Sequence, residues 1–94
     1  MAAVYVSRRP RSDPAMRYIC DGFDAIDAAS ISHAARIFAK RIARQKYGRN
    51  GRCRALRLRT ERGGQGASFE ALLGTHPSAD VTRQAYRFTV WILY

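Results

Sequence analysis

The clearest periodic pattern in this chain is helical and covers residues 30–46. Apolar residues repeat there at steps of three and four positions and form one stripe: Ile31, Ala34, Ala35, Phe38 and Ile42. Polar residues repeat in the same way on the opposite side: His33, Arg36, Lys40 and Arg44. This spacing predicts an amphipathic helix with one face on a core. Ser30 or Ser32 is expected to cap its first amides, and Gly48 to end it in a left-handed conformation.

Two short apolar-rich runs precede the helix, at residues 16–20 and 23–28. Asp21 and Gly22 separate them, and this pair readily adopts the positive φ angles of a tight turn. We therefore expect a β-hairpin, with one long strand kinked by a bulge at Gly22 as the alternative. Further upstream, residues 4–6 have strand composition, and two prolines within residues 8–14 predict a loop.

After the helix the period changes from helical to alternating. Within residues 53–60, Leu56 and Leu58 fall on one side of a predicted strand, whereas Arg57 and Arg59 fall on the other. Such alternation is typical of a half-buried antiparallel strand.

The remaining chain predicts two more strands. Residues 61–66 are rich in glycine and indicate a hairpin connection to a returning strand at residues 67–73. A loop at residues 75–84 then leads to a final strand at residues 85–94. Both faces of the final strand carry bulky side chains, so we expect it near the centre of the sheet.

These elements predict a single domain over residues 1–94, of the α+β class, with one amphipathic helix packed on a four- to five-stranded antiparallel sheet. The predicted core joins the apolar stripe of the helix to apolar positions of the strands. Its members are Ile31, Ala35, Phe38 and Ile42 on the helix and Leu56, Leu58, Phe88 and Val90 on the strands.

Charge adds the strongest functional signal. The chain has 17 Lys and Arg against 7 Asp and Glu, a formal net charge of +10 in 94 residues. With 47% hydrophobic residues it can still fill a small core, so it is not a disordered basic tail. Charge of this size predicts an anionic partner. The candidate partner-binding residues form one group on the helix and one on the following strand: Arg36, Lys40, Arg44, Arg52, Arg54, Arg57, Arg59 and Arg62.

The pattern of these basic residues leaves the kind of partner open. A run of charge on a helix alone is often only a solvated face. The strand group consists of arginines, whose planar guanidinium pairs with phosphate or carboxylate through two hydrogen bonds. Such a surface suits either a nucleic-acid backbone or an acidic groove on a protein.

Residue types that carry catalysis are sparse. His33 lies on the polar stripe of the helix, and His76 lies in a loop with no neighbouring nucleophile and carboxylate in the sequence. Cys20 and Cys53 fit no zinc spacing and are expected to be reduced, partly buried thiols. The glycines of residues 63–66 lack the lysine and the following helix of a phosphate-binding loop. We therefore expect no enzyme, metal or cofactor, with a histidine-dependent nuclease as the least implausible enzymatic alternative.

No run of residues has the length and composition of a signal peptide or a membrane span. The sequence therefore predicts a cytoplasmic protein with no membrane partner.

Residues 26–40, with the sequence IDAASISHAARIFAK, resemble a strand-to-helix segment of small phage and mobile-element proteins. Among these, the segment is similar to certain type I anti-CRISPR proteins, which pack one such helix against an antiparallel sheet. Those inhibitors bind the crRNA-guided surveillance complex, Cascade, and block its recognition of target DNA. The resemblance implies a protein partner whose surfaces normally handle nucleic acid, and it transfers no individual functional residue.

The prediction is therefore a non-enzymatic anti-CRISPR protein that binds a Cascade subunit in the cytoplasm of a bacterial host, as a monomer or homodimer. The alternative is a small basic nucleic-acid-binding module that places the same arginines on the phosphate backbone. A third possibility is a structural or assembly protein that uses the face bearing Trp91 as an oligomer contact. Salt dependence separates the first two, because direct phosphate binding weakens steeply as salt rises.

Overall fold

The computed structural model describes residues 15–75 and 84–94. It contains one α-helix and five strands, in the order β1 (Met16–Cys20), β2 (Asp24–Ala28), α1 (Ile31–Tyr47), β3 (Gly51–Arg62), β4 (Gly66–Thr75) and β5 (Gln84–Ile92). One helix packs on one five-stranded antiparallel sheet, which confirms the predicted α+β class. The strand expected at residues 4–6, the loop at 8–14 and most of the loop at 75–84 lie outside the described residues.

The sheet order is β2-β1-β5-β4-β3. β5 lies in the middle, between β1 and β4, as its bulky side chains on both faces predicted. β2 and β3 are the two edges, so the basic strand β3 has a neighbouring strand on one side only.

β1 and β2 form the predicted hairpin, and the alternative of one kinked strand is wrong. Asp21 has φ 56° and Gly22 has φ 85°, so both turn residues adopt the left-handed conformation. Asp and Gly tolerate this region better than other residues, which is why the pair signals a turn. The backbone N–H of Phe23 donates to the carbonyl of Cys20 at 3.2 Å and closes the turn.

The helix begins and ends close to the predicted positions. Ser30 is the N-cap, and its hydroxyl accepts a hydrogen bond from the backbone N–H of His33 at 3.1 Å. Gly48 follows the last turn with φ 75°, and its N–H donates to the carbonyl of Arg44. Gly51 then passes directly beneath the helix, where a Cβ would overlap the carbonyl of Ala43. This close approach requires glycine and sets where β3 starts.

The core lies between α1 and one face of the sheet, which we call the inner face. Phe38 is fully buried, and its ring packs against Phe88 with 4.9 Å between centroids. Phe88 in turn stacks on Phe69 of β4 at 5.8 Å. The helix contributes mainly small side chains around Phe38, so its backbone can lie close to the sheet: Ala34, Ala35, Ala39, Ile42 and Ala43 are buried.

The predicted core is correct for most of its residues and wrong at Leu58, which is 51% exposed. Ile31 and Leu56 are partly buried and pack against the core. A helix of 17 residues is about 25 Å long, whereas a strand of 12 residues reaches about 40 Å. The helix therefore cannot cover all of β3. Leu58 lies on this edge strand, seven residues beyond the point where Gly51 passes under the helix.

Candidate anionic-partner interface

All eight predicted partner-binding residues are exposed. We call those on α1 the helix row (Arg36, Lys40, Arg44) and those on β3 the β3 row (Arg52, Arg54, Arg57, Arg59, Arg62). Within residues 15–75 and 84–94, only two of the eight, Arg57 and Arg59, form an ion pair with a carboxylate. The charge of the other six is left uncompensated by the described part of the chain, which makes both rows available to an anionic partner.

The helix row runs along α1 at successive steps of four residues, so its side chains lie on one side of the helix. This side is next to the start of β3. Burial raises the pKa of the Cys53 thiol, and the nearby charges of Arg36 and Lys40 oppose that shift. A Cβ at Gly51, the first residue of β3, would overlap the backbone of Ala43 and Arg44, so the end of the helix row and the beginning of the β3 row are neighbours in space.

The β3 row is less regular than simple alternation predicted. The register between β3 and β4 shifts between Cys53 and Ala55 and again between Leu58 and Thr60. Arg54 and Arg59 are the extra residues of these two irregularities, and such bulges bend and twist a strand. Two exposed arginines thus occupy positions that a regular ladder would not provide.

Arg52, by contrast, is held by the backbone. Its Nη1 donates to the carbonyls of Arg49 and Gly51, at 3.2 and 3.0 Å. These hydrogen bonds orient the guanidinium group while leaving its charge uncompensated by a described carboxylate.

The face of the sheet away from the helix, the outer face, carries a cluster that sequence reasoning missed. Glu70 of β4 accepts hydrogen bonds from Arg57 at 3.3 Å, from Arg59 at 3.5 Å and from Arg87 at 3.1 Å. These four residues are the Glu70 cluster. The hydrogen bond from Arg87 and the three positive charges hold the pKa of Glu70 below its ordinary value, although partial burial opposes this.

The sequence contained one signal for this cluster, since Arg87 falls on the polar side of the alternating final strand. The cluster itself depends on strand order. Glu70 faces Arg57 across the β3–β4 ladder and Arg87 across the β4–β5 ladder. Only after β4 is known to lie between β3 and β5 can the three residues be placed side by side.

Trp91 also lies on the outer face and is partly buried. Its ring covers Gly66, where a Cβ would overlap the indole. The hypothesis that this face forms an oligomer contact stays a prediction.

Acidic residues lie at the opposite edge of the sheet, on β2. Asp27 pairs with Arg17 at 2.8 Å, and Asp24 pairs with Arg41 at 3.2 Å. The hydrogen bond from Arg17 lowers the pKa of Asp27. These carboxylates therefore neutralise arginines near their own edge and leave the β3 edge strongly basic.

Of the residues considered for catalysis, the structure describes His33 and the two cysteines. His33 is exposed in the first helical turn, and His76 lies outside the described residues. Both thiols are free, and burial raises the pKa of Cys20 to about 12. The described segments hold no group of three or more His, Cys, Asp and Glu that could bind a metal ion. Among the same segments, no helix has the length and apolar character required to cross a membrane.

The sequence pattern was enough to predict the helix row, whereas the Glu70 cluster could be recognised only from the tertiary structure. No family model, curated protein or solved structure matches this chain.

Proposed function

We propose that this protein is a non-enzymatic binding protein that uses the helix row and the β3 row to engage an anionic partner. The observation that carries the proposal is the uncompensated charge of six exposed residues in the two rows, among residues 15–75 and 84–94. The form we favour is inhibition of a type I CRISPR surveillance complex in a bacterial host cell, where the rows would contact Cascade and prevent its recognition of target DNA. The resemblance of residues 26–40 to anti-CRISPR proteins supports this form.

The distribution of charge argues that the rows do more than protect an edge strand. Charged side chains on an edge strand prevent it from pairing with other chains, and this accounts for a basic β3. It does not account for the helix row, because α1 has no exposed strand edge to protect. Nor does it explain why β2, the other edge, carries neutralised ion pairs. A partner that spans α1 and β3 explains both rows together.

A second candidate is a nucleic-acid-binding module that contacts the phosphate backbone directly. The predominance of arginine favours it, since seven of the eight residues in the two rows are arginine and only one is lysine. The guanidinium group pairs with phosphate through two parallel hydrogen bonds, which an ammonium group cannot do.

The test combines binding assays with charge variants of each row. Arg36→Glu, Lys40→Glu and Arg44→Glu together should abolish association with Cascade and restore target DNA binding by the complex. In the β3 row, Arg57→Gln with Arg59→Gln is the better variant. Reversal to Glu would place three carboxylates together at Glu70 and destabilise the fold.

A pair of single charge reversals provides a matched control: Arg44→Glu changes the helix row, and Arg49→Glu is its control. Arg49 is exposed in the turn after the helix and belongs to neither row. Exposed substitutions of this kind typically change stability by less than about 0.5 kcal/mol, so folding should be retained. If the helix-row variant and the β3-row variant both inhibit Cascade as strongly as the wild type does, the proposal is rejected and the two rows are only solvated faces.

Salt dependence separates the two candidates. Binding to free duplex DNA with a log–log salt slope near about −0.9 per phosphate neutralised, with no association with Cascade, would favour the nucleic-acid module. Association with Cascade that is much less sensitive to salt would favour the inhibitor.

A further inference from the structure

Three hydroxyl side chains form a line across the outer face of the sheet. Thr60 of β3 is directly opposite Ser68 of β4, and Ser68 is directly opposite Thr89 of β5. We call these residues the hydroxyl row. Neighbouring strands are about 4.8 Å apart, so the row spans about 10 Å. Among residues 15–75 and 84–94, none of the three hydroxyls hydrogen-bonds to a side chain or carbonyl of the described chain.

The Glu70 cluster lies beside this row. Glu70 is two residues beyond Ser68 on β4 and therefore shares its face, about 7 Å away along the strand. Arg59 and Arg87 of the cluster line one depression of about 360 Å³ together with all three hydroxyls. Hydroxyl donors and guanidinium donors thus border the same open space.

The Glu70 cluster is well suited to present guanidinium groups to an anion. Three arginines share one carboxylate, so two positive charges remain uncompensated within the cluster. Arg87 uses its Nε for Glu70, and a guanidinium carries five N–H donors, so most of its donors stay available. The side chain of Glu70 is only 18% exposed, whereas the side chains of Arg57 and Arg87 that pair with it are 73% and 69% exposed. The carboxylate therefore holds guanidinium groups that remain open to solvent.

One acidic residue also lines the depression, and its carboxylate is already engaged. Asp21 Oδ2 accepts a hydrogen bond from the hydroxyl of Tyr86 at 2.6 Å. This hydrogen bond, with partial burial, raises the pKa of Tyr86 to about 12. Asp21 is also fixed by its backbone, whose N–H donates to the carbonyl of Thr89 at 2.7 Å, so its carboxylate has a partner of its own at the border of the depression.

We infer that this depression is a binding site for phosphate oxyanions, in which Arg59 and Arg87 supply charge and the hydroxyl row supplies neutral donors. A phosphate group has several acceptor oxygens in a tetrahedral arrangement, so it can use donors of both kinds at once. The inference rests on the proposed function in that Arg59 belongs to the β3 row, and it adds a ligand class and four residues outside both rows: Thr60, Ser68, Arg87 and Thr89.

The protein contains its own reporter for this site. Trp91 is the single tryptophan of the chain, and it lies two residues after Thr89 on the same face of β5. Titration of the full chain with inorganic pyrophosphate, at ionic strength held constant with sodium chloride, should change Trp91 fluorescence in a saturable manner. Arg87→Gln should weaken pyrophosphate binding about tenfold or more, because it removes a charged donor. Thr89→Val keeps the β-branched shape and should weaken binding about threefold by removing one hydroxyl.

Arg49→Gln is the matched control. Arg49 is exposed, does not line the depression and belongs to neither the Glu70 cluster nor the hydroxyl row. Its dissociation constant for pyrophosphate should equal that of the wild type. Equal weakening by Arg87→Gln and Arg49→Gln would show a diffuse electrostatic effect and overturn the inference. A fluorescence change no larger than with sodium chloride alone would overturn it as well.

A single-stranded oligodeoxynucleotide identifies the source of the phosphate. If it competes with pyrophosphate, the site takes phosphates of a nucleic-acid backbone; if it does not, the site takes a small free phosphate compound. Either result supports an oxyanion site. Failure of the site and failure of the proposed function are distinguishable, because pyrophosphate binding requires neither Cascade nor the helix row.

Discussion

Two leucines on adjacent strands provide a sharp test of the tertiary structure. Leu73 on β4 is fully buried, whereas Leu58 on β3 is 51% exposed, although both belong to the inner face. Simple alternation in the sequence favours Leu58 as the core residue. Leu73→Ala and Leu58→Ala remove the same three carbon atoms, so the difference between them measures burial alone.

The expected losses follow from transfer and cavity energies. Each buried methylene contributes about 0.8 kcal/mol, so truncation of a fully buried Leu loses about 2.4 kcal/mol of transfer energy. The cavity left behind raises this to about 3–5 kcal/mol for Leu73→Ala. Leu58 is half-exposed and leaves no closed cavity, so Leu58→Ala should lose only about 1 kcal/mol.

Urea unfolding followed by far-ultraviolet circular dichroism measures both free energies. For a domain of this size, each kcal/mol lost lowers the thermal midpoint by about 4–8 °C. Leu73→Ala should therefore lower the midpoint by at least about 12 °C, and Leu58→Ala by less than about 8 °C. Equal losses, or a larger loss for Leu58→Ala, would refute the placement of β4 inside the sheet under the helix.

Three further predictions concern packing, thiols and pH. Phe38→Ala should cost about 3–5 kcal/mol in a urea titration, while Phe23→Ala, at a position 74% exposed, should be nearly neutral; an unchanged thermal midpoint for the first would contradict the helix-on-sheet core. A thiol reagent in the native state should modify Cys53 much faster than the fully buried Cys20, and equal rates would contradict the burial of β1. Glu70 has a lowered pKa in the folded state, so its contribution to stability is present above its ordinary pKa of 4.5 and is lost as the pH falls below that value. Glu70→Gln should flatten this acid dependence in thermal melts, and an unchanged profile would argue against the cluster.

Elements with a strong local signal were predictable. The helix was expected at residues 30–46 and is observed at Ile31–Tyr47, with Ser30 as the cap. The turn at Asp21 and Gly22 was predictable because both residues tolerate positive φ. The connection expected at residues 61–66 is observed as a shorter hairpin turn at residues 63–65 between β3 and β4, as its glycines indicated. Local backbone chemistry decides each of these features, so a short stretch of sequence contains the information.

The candidate site was predictable only in part, because a surface combines elements that are distant in the chain. Exposure of the helix row followed from the helical period, and exposure of Arg57 and Arg59 followed from strand alternation. Simple alternation would place Arg52, Arg54 and Arg62 on the same side as Leu56 and Leu58. The way in which the residues of the two rows are grouped in space could not be predicted from the sequence. Two irregularities in β3 displaced Arg54 and Arg59 from a regular ladder, and a register shift depends on pairing with β4 rather than on β3 itself.

The sequence by itself determined the class of fold, the basic character and the exposure of the helix row, because hydrophobic period, turn residues and charge are local properties. Only the tertiary structure decided which strands are neighbours. The order β2-β1-β5-β4-β3 places Glu70 between Arg57 and Arg87, aligns three hydroxyls across the outer face and leaves Leu58 beyond the cover of the helix. Strand order and helix reach depend on how all elements share one core, and no single segment contains that information.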